Sequence, residues 1–294
     1  MESRIAYRKM LSAKEIVLQP AVYDPLSARL AQAAGCRAVG LGGYAMGAHL
    51  VSGEPLLSLE VVARITRDVT FATDLPVMVD AGAGWGEPLH VAHTTRVLER
   101  TGAASMHLED QAYPKRAHYH RGIEHVISIP EMVDKIKAAA RAREDPDFVI
   151  CARTDAMRTH GYAEGVRRAA AYMEAGADAV MLFPNNEEET QQTPLDLPGV
   201  PLAYVNSTGN KFGRGVYPAR TLEEWGWSVV SDAISTVNVV SEALRRLYVN
   251  LATTGETGLD PENIVIVREQ LERDMGLDAK YELEAATVER IATA

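Results

Sequence analysis

The chain has 294 residues, is 47% hydrophobic and carries a formal net charge of −10. That acidity argues against nucleic acid or an anionic membrane as partners, since both demand clustered Lys and Arg. With no stretch of about 18 apolar residues, no transmembrane helix is expected.

Taken in chain order, the start MESRIAYRKMLSAKE is charged and lacks the apolar core of a signal peptide, so a cytoplasmic location is expected. Eight short apolar runs follow: IVLQPAV (16–22), AVGLGG (38–43), PVMVD (76–80), SMHLED (105–110), FVICAR (148–153), AVMLF (179–183), PLAYVN (201–206) and WSVVSD (227–232). Short uninterrupted apolar runs read as parallel strands covered on both faces. Between them lie amphipathic segments closed by Gly, as in SARLAQAAGCRAVGLGG, TRVLERTGAASMHLED and AAAYMEAGADAVMLFP. Two others are closed by Asp-Leu-Pro and Asp-Pro-Asp breakers. Eight strands alternating with helices predict a (β/α)8 TIM barrel, an α/β fold, with a doubly wound open sheet as the alternative. No linker divides the chain, so residues 1–294 read as one domain. Residues 241–294 form a helical extension that does not continue the repeat, and its apolar faces call for a partner, which favours an oligomer. Cys36 and Cys151 sit far apart in apolar runs. They exclude a disulfide framework, fit a reducing compartment and read as core thiols.

Several runs end in charge. PVMVD closes on Asp80, SMHLED on Glu109 and Asp110, FVICARTD on Arg153 and Asp155, and AVMLFPNN on Asn185 and Asn186. In parallel α/β folds ligands bind outside the carboxyl ends of the strands, so these residues share one rim. Carboxylates beside an arginine there point to a divalent cation next to an anionic substrate. The competing reading of Asp80 is a helix N-cap, and Asp110 and Asp155 read as structural. Arg153 is read as an anion ligand, with a resting ion pair to Glu109 as the alternative.

These motifs together resemble the isocitrate lyase/phosphoenolpyruvate mutase superfamily. The matching stretches are QPAVYDPLSARLAQAAG (19–35), LPVMVDAGAGWGEPLHVAHTTRVLERTGA (75–103), HLEDQAYPKRAH (107–118), EMVDKIKAAARAREDPDFVICARTDA (131–156) and YMEAGADAV (172–180). The resemblance implies a barrel whose C-terminal helices are swapped between subunits of a homotetramer, and a gating loop after strand four. It also implies Mg2+, with Mn2+ as a substitute, bound together with a small carboxylate substrate. Asp80 and Glu109 match the family's metal-site acids, and Arg153 matches its substrate-binding arginine. Gly42, Gly43 and Tyr44 stand at the turn whose backbone N–H groups face the substrate carboxylate.

The chain also departs from the family pattern. Ala117 in PKRAHYHRG occupies the position of the lyases' gating-loop cysteine, so His118, Tyr119 or His120 is expected to move the proton. Gly82 stands where the metal motif has its second Asp, with Glu87 expected to compensate and His90 a weaker option; Gly53 and Glu54 lie near the position of a further missing Asp. Phe183 stands where many lyases carry a glutamate after strand six, and Asn206, Ser207, Thr208 and Asn210 replace an Asn-x-Thr-Glu pattern. The expected activity is Mg2+-dependent cleavage of a C–C bond, by retro-aldol reaction or decarboxylation, in a small 2-hydroxy or 2-oxo acid through a metal-stabilised enolate. Asn206 and Arg153 are expected to bind the substrate. Phosphonopyruvate hydrolase or phosphonomutase chemistry is the alternative, and a non-catalytic carboxylate-binding barrel the third.

Overall fold

Strand residues that are buried on both sides can be apolar at every position, and this is what the computed structural model shows; it describes residues 2–13, 15–210 and 213–292. The strands are β1 (Val17–Val22), β2 (Val39–Leu41), β3 (Val77–Asp80), β4 (Ser105–Glu109), β5 (Val149–Arg153), β6 (Ala179–Leu182), β7 (Leu202–Val205) and β8 (Val229–Asp232). They run parallel in sequential order, and β8 pairs with β1 to close the barrel. All residues of β3 through β7 are buried, which is why these runs carry no alternating polar face. The TIM barrel is therefore observed and the open sheet is not.

Each strand alternates its side chains between the barrel interior and the outer helices. Val17, Met78, Cys151, Met181, Ala203 and Val229 pack inside, together with Tyr7 and Leu11 from the helix Glu2–Ser12. That helix was not assigned from sequence. Its Tyr7 hydroxyl donates to Gln19 Oε1 at 2.8 Å, within the interior. The outer layer joins Val39, Leu41, Val79, Met106, Leu108 and Ile150 to helix residues such as Val62, Leu98 and Ile136. Gly102, at φ 91°, ends the helix Pro88–Arg100 in a left-handed turn that leads directly into β4. Cys151 is buried as expected, whereas Cys36 is only partly covered, because it lies on the turn before β2.

The chain forms two compact units, residues 1–238 and 239–294. The first holds the barrel. The second holds the helices Pro261–Asp274, Leu277–Ala286 and Val288–Ala292, and the helix Ser235–Thr254 runs from the first unit into it. Val239, Leu244, Tyr248, Leu251, Val265 and Ile266 are exposed large apolar residues of the second unit. Among the described residues no helix is long and apolar enough to cross a membrane.

Candidate active site

Parallel pairing sets the site. The register of β3 on β4 places Asp80 beside His107, and that of β4 on β5 places Glu109 beside Arg153. His107 and Glu109 are two residues apart on one strand and so share a face. All four lie at the carboxyl rim of the barrel, next to a cavity of about 380 Å³.

Asp80 is held from three sides. The backbone N–H of Gly43 donates to its Oδ2 at 2.9 Å, that of Gly82 donates to Oδ1 at 2.8 Å, and His107 Nε2 stands 2.9 Å from Oδ1. Burial alone would raise its pKa, but His107, Lys115 and Arg153 outweigh it and hold Asp80 well below the usual carboxylate range. Gly43 has to be a glycine here. A Cβ on it would come 2.6 Å from Glu54 Cγ and 3.0 Å from Asp80 Oδ2. The loop residue Glu54 thus reaches the same point as the strand acids.

Glu109 is fully buried, and neither of its carboxylate oxygens makes a hydrogen bond. Its neighbours are cations at ion-pair distance: Lys115 Nζ at 2.9 Å and Arg153 Nη1 at 3.4 Å. Burial pushes Glu109 up to about 7, against the pull of those cations. Lys115 also pairs with Glu54, and although burial disfavours its charge, Glu109 and Glu54 keep its pKa well above the ordinary value. Oxygens of Glu54, Asp80 and Glu109 lie within 4.8 Å of one another. Three close carboxylates, one with both oxygens buried and unbonded, form the donor set a hard divalent cation takes, and Mg2+ completes its shell with water.

Arg153 stands beside these acids, 6% exposed. Its guanidinium donates to Asp155 at 3.1 to 3.4 Å and, through Nη2, to the hydroxyl of Tyr119 at 2.6 Å. Because the hydroxyl accepts that bond, its own hydrogen is left to donate elsewhere. Burial raises the Tyr119 phenol to about 12, so it is neutral at physiological pH. His120 also lines the cavity, packed edge-on against Tyr44 and Tyr119 with ring centroids 5.8 and 5.4 Å away.

Of the residues singled out in the sequence, Asp80, Arg153, Gly42, Gly43, Tyr44, Tyr119 and His120 border this cavity, and Glu109 lies directly behind it. The N–H of Gly43 is engaged by Asp80 rather than turned to a ligand. Three residues are not brought in. Glu87 is exposed and serves as N-cap of the helix Pro88–Arg100, with His90 bonded back to its N–H at 3.2 Å, so Glu54 takes the place expected of it in the acidic group. His118 is exposed in the 3-10 turn Ala117–Arg121 and does not border the cavity. Asn206 is spent on the following loop: Nδ2 donates to the Tyr217 carbonyl at 2.7 Å, and Oδ1 accepts from the Tyr217 N–H at 3.0 Å. Asp110 is structural, as read, accepting from Thr154 Oγ1 at 2.6 Å, Tyr172 at 2.8 Å and Arg168 at 2.9 Å. Asp155 binds Arg153 and accepts from Gln111 at 2.9 Å.

Sequence reading missed Lys115, His107 and the membership of Glu54. The period of two along SMHLE was a signal for His107. Glu54 is 26 residues from Asp80 in sequence and reaches it only through the chain path after β2, which no local pattern reveals.

The family model described as phosphoenolpyruvate phosphomutase matches residues 7–252. A Corynebacterium glutamicum protein named probable 2-methylisocitrate lyase 2 is 37% identical over 259 residues, 86% of this chain and 82% of that one. The 2,3-dimethylmalate lyase of Eubacterium barkeri is 34% identical over 290 residues, 97% of this chain and 98% of that one. A crystal structure of 2,3-dimethylmalate lyase superposes with a TM-score of 0.88 at 30% identity, covering 97% of this chain and 95% of the other. Both relatives are named as lyases.

Proposed function

The chain belongs to the phosphoenolpyruvate mutase/isocitrate lyase superfamily, and from that premise we propose that it is a Mg2+-dependent lyase cleaving a C–C bond of a small 2-hydroxy or 2-oxo dicarboxylic acid. The observation that carries this reading is one constellation: the Glu54–Asp80–Glu109 carboxylates sit beside Arg153, whose guanidinium is hydrogen-bonded to a neutral phenol at 2.6 Å. Glu54, Asp80 and Glu109 would hold the metal. Bound there, Mg2+ supplies Lewis-acid polarisation of the substrate's 2-oxygen.

The chain's own groups do the rest. Arg153 faces the anionic oxygens of the substrate and the negative charge that builds on them as the bond breaks. Cleavage leaves an enolate-like fragment that needs a proton, and Tyr119 has one to give, with its lone pair already tied to Arg153. His120 packs on Tyr119 and fixes the ring toward the cavity. This pair takes the role that the cysteine position, Ala117, cannot fill. Gly43 keeps the acids close enough to act as one site. The exposed apolar residues of 239–294, such as Tyr248 and Ile266, would be covered by a second copy of the chain, in keeping with a homo-oligomer.

Phosphonate chemistry is the second reading, favoured by the description of the matching family model. A screen of 2-hydroxy and 2-oxo dicarboxylates with Mg2+ separates the two. Pyruvate or glyoxylate release that stops on addition of EDTA is the expected result. Phosphate release from phosphonopyruvate, without turnover of any malate-type acid, would replace the leading reading with the second.

A further inference from the structure

The cavity has a second pole. At the end away from the acids it is lined by Phe183, Asn185, Ser207, Asn210 and Arg214. Arg214 follows β7 and lies with its guanidinium carbon 5.0 Å from the Phe183 ring centroid and 6.0 Å from that of Tyr204. Arg153 also faces this ring, with its guanidinium carbon 4.8 Å from the Phe183 centroid. Two cations therefore share one aromatic ring at a position where the resemblance led to expect a glutamate.

The other charged groups of this cavity have partners. Arg153 is paired with Glu109 and Asp155, and Arg158 with Glu124. Asp232 accepts from the backbone N–H groups of Ile234 and Ser235. Arg214 differs: among the described residues it has no carboxylate partner, and its buried Nε has no hydrogen bond. Burial lowers its pKa from the ordinary value, outweighing the opposite pull of Tyr204, Tyr119 and Asp155. Cation–π contact with Phe183 and a side-chain hydrogen bond with Tyr204 offset part of that cost, but the Nε–H stays unbonded. A planar guanidinium at a cavity wall with its Nε–H unbonded is shaped to take a carboxylate.

We propose that Arg214 is a specificity-determining residue that receives the distal carboxylate of the substrate, the one that does not reach the Glu54–Asp80–Glu109 end. The inference rests on the lyase reading above and adds to it that the substrate is selected as a dicarboxylate through this residue. Phe183 contributes by bringing no negative charge between Arg153 and Arg214, so that an anion placed there meets two cations.

The test compares two probes in the presence of Mg2+ by calorimetry on the full chain. Oxalate offers only the chelating end, its two carboxylates being adjacent; 3,3-difluorooxaloacetate carries a further carboxylate distal to that end. In Arg214→Met the dissociation constant for difluorooxaloacetate should rise ~10- to 100-fold, as for the loss of a charge-assisted hydrogen bond, while that for oxalate stays within about twofold. Arg214→Lys should recover part of the loss, which a merely structural role would not produce. If Arg214→Met does not fold, Arg214→Gln should give the same split. An equal change for both probes, or none for either, overturns the role of Arg214 and leaves the lyase reading standing. Failure of the unaltered protein to bind oxalate with Mg2+ overturns both.

Discussion

Arg153→Lys should lower kcat/KM by ~10²- to 10³-fold, the scale for losing one preorganised donor to developing charge, while the circular dichroism spectrum stays unchanged. Lysine keeps a positive charge opposite Glu109 and Asp155, so the buried acids are not stranded. It cannot keep the fork. Arg153 at once donates to both oxygens of Asp155, reaches the Tyr119 hydroxyl at 2.6 Å and stands 3.4 Å from Glu109. A single ammonium on a flexible stem makes one of these contacts at the expense of the others. The loss should fall mainly on kcat, because Tyr119 is no longer aimed. Arg153→Ala is a less clean variant, since it leaves Glu109 and Asp155 buried beside an absent cation and should lower the melting temperature as well. Near-normal kcat/KM for Arg153→Lys would remove Arg153 from the chemistry.

The second large effect concerns Glu109. Glu109→Gln should weaken Mg2+ binding by ~100-fold or more, since even the loss of an outer-shell partner costs ~10- to 100-fold, and should abolish turnover at ordinary Mg2+ levels. Its pH dependence gives a sharper signature. The Glu109 carboxyl is raised from 4.5 to about 7, so folding without metal favours its protonated form. The stabilising contribution of that proton is complete below the ordinary value and is lost as pH rises through about 7. In EDTA, stability linked to this group therefore declines between those limits. Metal binding has to displace the proton, so Mg2+ affinity should climb with pH across the same window and level off above it. Glu109→Gln carries no such proton, and both trends should disappear from its melting and titration curves. Persistence of the Mg2+ affinity slope in Glu109→Gln would assign it to another group.

Much of this is legible in the sequence. Strand-length apolar runs such as PVMVD and FVICAR declare a parallel barrel because burial on both faces suppresses alternation, and an acid or arginine at the end of such a run has nowhere to go but the rim. That logic puts Asp80, Glu109 and Arg153 at the rim, which is where the strand register has them. It failed where position depends on loops. Glu87 is the expected compensating acid because it is close to Asp80 along the chain, yet it is the exposed N-cap of the helix Pro88–Arg100, with its backbone N–H bonded to His90. Glu54 is the acid that stands beside Asp80 and Glu109 instead, because Gly43 has no side chain and leaves it room. The HYH run on the loop after β4 offers His118, Tyr119 and His120 as alternative proton donors. The 3-10 turn splits them, sending Tyr119 and His120 inward and His118 to solvent. Asn206 was chosen by motif, but a hydrogen-bonded loop claims both ends of its amide. Lys115 escaped notice because a lysine in a polar loop reads as solvated, whereas here it is the cation that two buried acids share.

The proposed lyase chemistry requires a divalent cation held by Glu54, Asp80 and Glu109. A crystal of the full chain grown with Mn2+ and oxalate, with diffraction recorded at the manganese edge, tests this directly. The predicted result is one anomalous peak within direct or single-water reach of all three carboxylates, with Lys115 drawn back from them. Oxalate bound with no peak at that position, and Lys115 still paired to Glu109, would contradict it.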